Sequence, residues 1–318
     1  MKNEISGIII RGLGGLYDVL CGKEIISCRA RGVFRHEKTS AQAGDRVVIA
    51  YDGENKNAGY VIDKILPRKN LLIRPALANT DVLFIAFAPS HPEPDLLGTD
   101  KLTAIAVHNG ITPVIVITKA DIDRKKAEEY RRIYEKCGFT VLLTSSVDGE
   151  GMSAVRDYIC TRGEDEIFAF AGASGVGKST LIGSIFSELK LETGRISEKT
   201  ARGRHTTRAV TLFSCDCGGE RMFIADTPGF SMLDFINFNF FGLDELVYTF
   251  PEFEKYLGGC RYRGCTHTKE DGCAVLAAVA EGAVPKSRHD SYLAIYEELK
   301  KVPEWKRKAI ESGRCTSP

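Results

Sequence analysis

The segment from Gly172 to Ser179 constrains this chain more than any other feature of its sequence. It reads Gly-Ala-Ser-Gly-Val-Gly-Lys-Ser, which matches the pattern G-x-x-x-x-G-K-[ST] in full. A predicted strand, Ile167–Ala171, precedes it, and a helix is predicted near Lys178–Phe186. Because the backbone N–H groups of such a loop and the start of its helix bind phosphates, the pattern predicts a nucleotide-binding α/β domain.

Each residue of this phosphate loop has an expected role. Lys178 is predicted to reach the β- and γ-phosphates of the nucleotide, and Ser179 to bind Mg²⁺. The other candidate phosphate ligands are Gly172, Ala173, Ser174, Gly175, Val176, Gly177 and Thr180. A glycine-rich turn without a ligand is the simpler alternative, which the strand and helix on either side disfavour.

The surrounding sequence alternates apolar strands with longer helical stretches, which is typical of a parallel α/β sheet. The predicted strands are Val82–Ala88, Pro113–Thr118 and Thr140–Thr144, with helices near Leu96–His108, Asp123–Cys137 and Ser153–Cys160. Beyond the phosphate loop, Val210–Cys215 and Arg221–Ala225 form a predicted hairpin that turns at Gly218 and Gly219.

The first 66 residues differ, because they contain short strands separated by turn residues. The five predicted strands are Gly7–Gly12, Leu16–Cys21, Glu24–Arg31, Arg46–Tyr51 and Gly59–Leu66. They favour a small OB-type barrel, with an SH3-like barrel as the alternative, and OB barrels commonly bind oligonucleotides. Residues 1–75 carry 13 basic and 8 acidic side chains, which suits a polyanionic partner as well as an ordinary solvated surface.

Composition excludes several classes of protein. With 318 residues, 43% hydrophobic and 27% charged, the chain has the balance of a soluble globular protein of about two domains rather than a disordered or fibrous one. Its uninterrupted apolar runs, such as Val82–Ala88, are much shorter than the ~20 residues of a membrane span. The N-terminus lacks a signal-peptide core, so we expect a cytoplasmic protein with reduced thiols.

Two further segments indicate which base is bound. Thr118-Lys119-Ala120-Asp121 follows a predicted strand and resembles the N-K-x-D loop of GTPases, whose aspartate accepts two hydrogen bonds from guanine. Adenine cannot supply that pair of donors. Thr118 replaces the usual asparagine, so one contact on the other guanine edge is expected to be weakened or lost. Ser145-Ser146 follows the next strand and resembles the last guanine loop.

The segment after the predicted hairpin resembles the second switch of GTPases. Asp226-Thr227-Pro228-Gly229 matches D-x-x-G, in which Asp226 holds Mg²⁺ through water and the Gly229 N–H senses the γ-phosphate. Gly203–Arg208 offers hydroxyl groups for a first switch. Either Thr206 or Thr207 is expected to complete the Mg²⁺ shell, and Thr206 is favoured.

The expected water-orienting residue is missing. Phe230 stands where Ras-like enzymes have a glutamine, and a phenyl ring cannot position water, so intrinsic hydrolysis is expected to be slow. His205 is the nearest candidate along the sequence for orienting the water. The alternative interpretation is that His205 binds a partner or is simply solvated. The guanine loops precede the phosphate loop along the chain, which is the reverse of the Ras-like order, so the domain is predicted to be circularly permuted.

A cluster of metal-binding residue types follows the second switch. Cys260, Cys265, His267 and Cys273 form C-x4-C-x-H-x5-C, which predicts a structural zinc ion with four protein ligands. Cys215 and Cys217 are expected to be free thiols. The remaining cysteines are read as packing residues or bystanders, namely Cys21, Cys28, Cys137, Cys160 and Cys315.

These motifs, in this order, resemble the ribosome small-subunit-dependent GTPase A family over nearly the whole chain. The resemblance implies a circularly permuted P-loop GTPase domain between an N-terminal OB-type barrel and a C-terminal helical zinc domain, with boundaries at 1–70, 71–233 and 234–318. It also implies a cytoplasmic GTPase that uses Mg²⁺ and acts late in small-subunit assembly. Its barrel and zinc domain would contact rRNA, and the subunit would stimulate hydrolysis.

The zinc domain contributes basic and aromatic candidates for RNA contact: Arg261, Tyr262, Arg263, Lys286, Arg288 and Tyr292. Core and ordinary surface roles are equally open for them. A monomer is expected. Two other readings stay open: a small-molecule P-loop kinase that prefers ATP, and an RNA-binding module that holds the nucleotide only as a structural ligand.

Overall fold

The computed structural model describes residues 4–32, 34, 40–53, 59–73, 75–188, 210–226 and 241–303, without the side chains of 185–188 and 226. Its residues form two compact units. The first contains the described parts of 1–82, 156–170 and 183–230, and the second those of 83–155, 171–182 and 231–318.

A closed five-stranded barrel begins the first unit. Its strands are β1 (Glu4–Leu13), β2 (Leu16–Cys21), β3 (Glu24–Ala30), β4 (Arg46–Asp52) and β5 (Gly59–Ile65). Neighbours pair in the order β1-β2-β3-β5-β4 and back to β1, with β3 parallel to β5 and the other pairs antiparallel. Apolar side chains such as Ile9, Val19, Val47 and Ile62 alternate inward and fill the core. This is the predicted OB-type barrel.

Strands outside the barrel complete the first unit. The short strands β6 (Leu71–Ile73) and β7 (Ala76–Ala78) pair antiparallel. Further along, β11 (Ile167–Gly172) pairs in parallel with β13 (Glu220–Asp226), which forms an antiparallel hairpin with β12 (Thr211–Cys217). Strand β12 also pairs with β1 through Arg11 and Thr211. The barrel is therefore joined by backbone hydrogen bonds to the strand pair that leads to Asp226.

The second unit contains three further strands of the α/β domain. They are β8 (Val82–Phe87), β9 (Thr112–Ile117) and β10 (Thr140–Leu143), in the order β10-β9-β8, with β9 and β10 parallel. All residues of β8 are buried, which explains its unbroken apolar run. Helix α1 (Leu96–His108) is capped by Asp95, and α2 (Arg124–Lys136) by Asp123. Helices α3 (Met152–Cys160) and α4 (Lys178–Glu188) follow along the chain, each at a predicted position, and each is divided between the two units.

The C-terminal part of the second unit is helical. Two 3₁₀ helices, Leu246–Thr249 and Pro251–Tyr256, precede α5 (Ala274–Ala280) and α6 (Lys286–Lys300). Aromatic side chains pack the interior, with Phe253 stacked on Phe250 and both rings against Tyr292. No helix within the described ranges is long and apolar enough to cross a bilayer.

One prediction about the cysteines is wrong. Cys160 and Cys217 form a disulfide with their Cα atoms 5.2 Å apart, although Cys217 was expected to be a free thiol and Cys160 a bystander. The pairing joins residues 57 positions apart, so no local spacing pattern could reveal it. Cys215 is a free, buried thiol as expected.

Candidate nucleotide and metal sites

The phosphate loop connects β11 to α4 and has a backbone that requires glycine. Gly172 has φ +138°, and a Cβ there would lie 2.0 Å from the Ala86 carbonyl oxygen. Gly175 and Gly177 also have positive φ, at +78° and +97°. Ser179 and Thr180 are exposed at the start of α4, where helix N–H groups favour an anion.

The Lys178 ammonium is held inside this loop. Its Nζ donates to the carbonyl oxygens of Gly172 at 2.6 Å and Ala173 at 2.7 Å. Burial lowers the pKa of Lys178, because the loop supplies carbonyl dipoles but no full negative charge. A phosphate beside this ammonium would supply that charge, so the arrangement suits an anionic ligand.

Thr118, which stands where the N-K-x-D pattern has asparagine, uses its hydroxyl for contacts with the backbone. Its side chain is buried after β9, and its hydroxyl donates to the Val176 carbonyl, with the Phe87 carbonyl 3.2 Å away. The Thr118 N–H also donates to the Phe87 carbonyl at 2.9 Å. The hydroxyl therefore connects the first guanine loop to the phosphate loop and points to backbone rather than to a base.

Lys119 makes a second connection between these loops. Its backbone has φ +52°, and its Nζ donates to the carbonyls of Gly175 at 2.8 Å and His91 at 3.0 Å. Two lysines, Lys119 and Lys178, thus bond to carbonyl oxygens of the same phosphate loop. Both ammonium groups are therefore held in place by backbone acceptors.

The two guanine loops are also joined to one another. Ala120 N donates to Thr144 O at 3.0 Å, and Thr144 N donates to Ile117 O at 2.9 Å. Ser145 is buried, while the side chains of Asp121 and Ser146 are exposed. Asp121 and Ser146 are therefore accessible from solvent.

The predicted switch residues are largely outside the described part of the structure. Asp226 is the last residue of β13, but its side chain lies outside the described part of the structure, as do His205, Thr206, Thr207, Gly229 and Phe230. The roles expected for these residues are not tested by the geometry.

The predicted zinc ligands come together between the second 3₁₀ helix and α5. The donor atoms of Cys260, Cys265, His267 and Cys273 all lie within 4.8 Å of one another. Cys260 Sγ is 3.6 Å from His267 Nδ1 and 3.9 Å from Cys273 Sγ, and His267 Nδ1 is 3.4 Å from Cys273 Sγ. Tetrahedral zinc with Zn–S bonds of about 2.3 Å requires edges of about 3.8 Å between sulfurs. Three thiols and one imidazole at these separations fit a structural zinc ion.

Neighbouring groups that belong to no sequence motif hold the histidine ligand in place. Glu270 accepts from the backbone N–H groups of Thr266 at 2.9 Å, Thr268 at 3.0 Å and Lys269 at 3.1 Å. The His289 ring donates from Nε2 to His267 O at 2.8 Å. A glutamate three residues after a ligand histidine is the only sequence signal for this support, and it is a weak one.

Two of the six candidate RNA-contact residues are wrong. Arg288 is 1% exposed and is bonded to Asp100 and Glu252, and Tyr292 is buried with its hydroxyl donating to Thr266 O at 2.8 Å. Both face inward from α6 because the 3₁₀ helices and the zinc loop pack against that side. The other four, Arg261, Tyr262, Arg263 and Lys286, are exposed.

The order of the loops defines the class of protein. Both guanine loops precede the phosphate loop in the chain, so the fold and the site together define a circularly permuted P-loop GTPase. Two solved structures share this architecture. YjeQ from Thermotoga maritima matches with a TM-score of 0.75 and 29% identity over 94% of this chain and 99% of that one. YloQ, a circularly permuted GTPase, matches with a TM-score of 0.71 and 32% identity over 94% and 96%.

Sequence comparison gives the family. Residues 65–236 match the RsgA GTPase family model, and residues 6–61 match the RsgA N-terminal domain. The small ribosomal subunit biogenesis GTPase RsgA of Caldanaerobacter subterraneus is 42% identical over 93% of this chain and 96% of its own length. The protein of the same name in Halalkalibacterium halodurans is 40% identical over 93% of this chain and 97% of its own length. The chain belongs to the RsgA GTPase family and is a GTP-hydrolysing enzyme.

Proposed function

We propose that this GTPase binds the small ribosomal subunit through its rRNA, acts late in its assembly, and hydrolyses GTP to GDP and phosphate with subunit-stimulated turnover. The observation that carries the proposal is the match, over nearly the whole chain, to relatives named for small-subunit biogenesis. The proposed location is the cytoplasm and the proposed state is a monomer. The proposed domains are 1–70, 71–233 and 234–318.

The nucleotide is proposed to bind at the loops that Thr118 and Lys119 connect. Asp121 would accept from the guanine N1 and N2 donors, and the Ser145-Ser146 backbone would approach the other polar edge. The phosphates would lie against residues 172–180, where Lys178 exchanges carbonyl contacts for phosphate oxygens. Because the Thr118 hydroxyl is bonded to Val176 and close to Phe87, guanine selectivity rests on Asp121 in this proposal.

The proposed magnesium ligands are Ser179 and Thr206, with Asp226 bound through water. Mg²⁺ held there would neutralise charge that develops on the transferred phosphoryl group. His205 is proposed to orient the attacking water in place of the glutamine that Phe230 replaces. Hydrolysis is then slow until the ribosomal subunit completes the arrangement of these residues.

Asp121 gives a direct test of base selectivity. In Asp121→Asn the acceptor pair becomes one acceptor and one donor, which matches xanthine rather than guanine. GTP turnover should fall by more than about tenfold, the equivalent of ~1.4 kcal/mol, and XTP turnover should rise above that of the wild type. Lys178→Ala is the control, since it removes a phosphate contact and should lower turnover of both nucleotides. Unchanged GTP selectivity in Asp121→Asn would contradict the assigned role.

The zinc ion is proposed to be structural, since all four of its positions are filled by protein ligands. We expect one zinc per chain, measured by mass spectrometry of the native protein. Cys265→Ser should lose the metal, whereas Cys137→Ser, which replaces a buried cysteine outside the cluster, should keep it. Equal zinc content in the two variants would count against the assigned ligands.

The RNA-binding surface is proposed to include the barrel and the exposed zinc-domain residues Arg261, Tyr262, Arg263 and Lys286. Arg261 and Tyr262 lie together, with the guanidinium carbon 5.4 Å from the ring centroid. An exposed aromatic ring beside a cation is suited to stacking a base and contacting a phosphate.

The decisive experiment measures GTP and ATP hydrolysis with and without purified small subunits. GTP-selective turnover that the subunit strongly stimulates is the expected result. ATP preference would support a kinase instead. Absence of turnover with subunits present would support an RNA-binding module that holds the nucleotide as a structural ligand.

The protein should also bind the small subunit more strongly with a GTP analogue than with GDP, because GTP orders the switches and hydrolysis then lowers the affinity for the subunit. Equal affinity in the two states would refute nucleotide-dependent release.

A further inference from the structure

The disulfide between Cys160 and Cys217 connects two elements of the nucleotide-binding domain. Cys160 is the last residue of α3, and Cys217 is the last residue of β12, at the turn of the β12–β13 hairpin. Their Cα separation of 5.2 Å suits a disulfide without movement of the backbone. The bond therefore fixes the end of α3 to the turn end of the hairpin.

Non-covalent contacts hold the same two segments together beside the disulfide. The loop that follows α3 contains Asp165, whose N–H donates to Arg221 O at 2.6 Å and whose carboxylate accepts from Arg221 Nε at 2.7 Å. Phe223 N donates to Glu166 O at 2.9 Å. These contacts do not depend on the disulfide, so the reduced thiols would remain adjacent and could re-form the bond.

Cys160 differs in exposure from the free cysteines of the first unit that the structure describes, whereas its partner Cys217 is buried as they are. Cys21, Cys28 and Cys215 are all buried, and burial raises the pKa of each, to about 12 for Cys28 and Cys215. Such thiols are poor nucleophiles at neutral pH. Cys160 is only half-buried at the helix end, so a small reagent can reach it.

We propose that Cys160 and Cys217 form a thiol–disulfide exchange site that reacts with low-molecular-weight disulfides and slows GTP turnover when oxidised. The expectation of a reducing compartment, in which the bond would be transient, rests on the proposed function. The Cys160 thiolate attacks one sulfur of the small disulfide and releases one small thiol. The Cys217 thiolate then attacks the Cys160 sulfur and releases the second, so that two protein thiols are oxidised and one disulfide is reduced to two thiols.

The effect on turnover follows from what the joined strands carry. The linked segment between the two cysteines contains the phosphate loop, and β13 runs from the hairpin turn to Asp226. In GTPases, the segment that follows this strand changes its conformation when the γ-phosphate is lost. A covalent bond at the turn end restricts the hairpin relative to α3 and so opposes that change.

The test uses full-length, zinc-loaded protein without ribosomal subunits. The protein is first reduced and freed of reductant, then incubated with oxidised glutathione and freed of that reagent. We expect the oxidised wild type to lose two thiols, to yield a peptide that links Cys160 to Cys217, and to hydrolyse GTP at least about fivefold more slowly. Dithiothreitol should restore the two thiols and the rate of GTP hydrolysis, and the linked peptide should disappear. Zinc content, measured in parallel, should stay constant and so separates this reaction from oxidation of the metal site.

Three variants make the test specific. Cys160→Ser and Cys217→Ser should keep the turnover of the reduced wild type after oxidation, whereas Cys215→Ser, on the same strand, should remain sensitive. A linked peptide with unchanged turnover, or oxidation that leaves Cys160 and Cys217 unlinked, would overturn the proposal. Since no subunits are present, a failure of the ribosomal proposal would leave these results unaffected.

Discussion

Two arginine–carboxylate clusters in this protein have opposite composition and opposite exposure. In the Arg288 cluster, one arginine lies between two carboxylates, 2.6 Å from Asp100 and 2.7 Å from Glu252. In the Asp165 cluster, one aspartate lies between two arginines, 2.7 Å from Arg221 and 3.2 Å from Arg46. The Arg288 side chain is 1% exposed, whereas that of Asp165 is 26% exposed.

The difference shows how burial determines what else an ion pair needs. Arg288 also donates to Thr103 Oγ1 at 3.1 Å and lies 4.6 Å from the Phe250 ring centroid, so its cation is surrounded by acceptors and a π face. Although burial opposes it, the charges of Asp100 and then Glu252 raise the pKa of Arg288 above its usual range. The Asp165 cluster keeps partial access to water, so its ion pairs do not need additional acceptors or an aromatic ring around them.

The largest effect is expected from Arg288→Met, which keeps the apolar stem and removes the charge. Two carboxylates would remain buried without a cation, so the free energy of unfolding should fall by about 3–5 kcal/mol. Denaturant unfolding followed by fluorescence measures this. Lys286→Met, on the same helix in the exposed pair with Asp290, is the control and should cost less than ~0.5 kcal/mol. A comparable loss in both variants would show that burial does not distinguish the two pairs.

A smaller effect, of opposite sign, is expected when the carboxylates of the Arg288→Met variant are also neutralised. Adding Asp100→Asn and Glu252→Gln removes the unpaired charges, so the triple variant should recover about 1–2 kcal/mol relative to Arg288→Met. The same unfolding experiment applies. If the triple variant is less stable than the single one, shape and hydrogen bonding rather than charge explain the cost.

These clusters also show which parts of the structure can be inferred from sequence. The strand–loop–helix around Gly172–Ser179, the circularly permuted GTPase fold and the Cys/His cluster are confirmed, because each follows from short patterns whose chemistry fixes their spacing. From the sequence, Arg288 stays open between RNA contact, core and surface roles, because its charge is visible there but its two partners lie 188 and 36 residues away. The Cys160–Cys217 bond and the backbone acceptors of Thr118 were missed for the same reason, since each depends on segments that only the folded chain brings together.

Asp165→Asn tests the other half of the comparison. The two arginines would keep partial hydration, so the free energy of unfolding should fall by only about 1 kcal/mol. Asp157→Asn, in the exposed pair with Arg156, is the control and should be near neutral. A loss for Asp165→Asn as large as that for Arg288→Met would mean that Arg46 and Arg221 depend on Asp165 despite their access to water.

The smallest effect is the pH dependence of the Asp165 contribution. Partial burial raises the pKa of Asp165, but the hydrogen bonds and charges of Arg221 and then Arg46 outweigh it, so the pKa is lowered. Because the pKa of Asp165 is lower in the folded than in the unfolded chain, its ionised form stabilises the fold at pH values above the unfolded pKa of about 3.9. This stabilisation is lost as the pH falls through the folded pKa. Wild type and Asp165→Asn should therefore differ in stability at pH 7, and the difference should shrink as the pH falls below about 4. A difference that persists undiminished in acid would mean that the aspartate acts through its shape or its backbone conformation, at φ +61°, rather than through its charge.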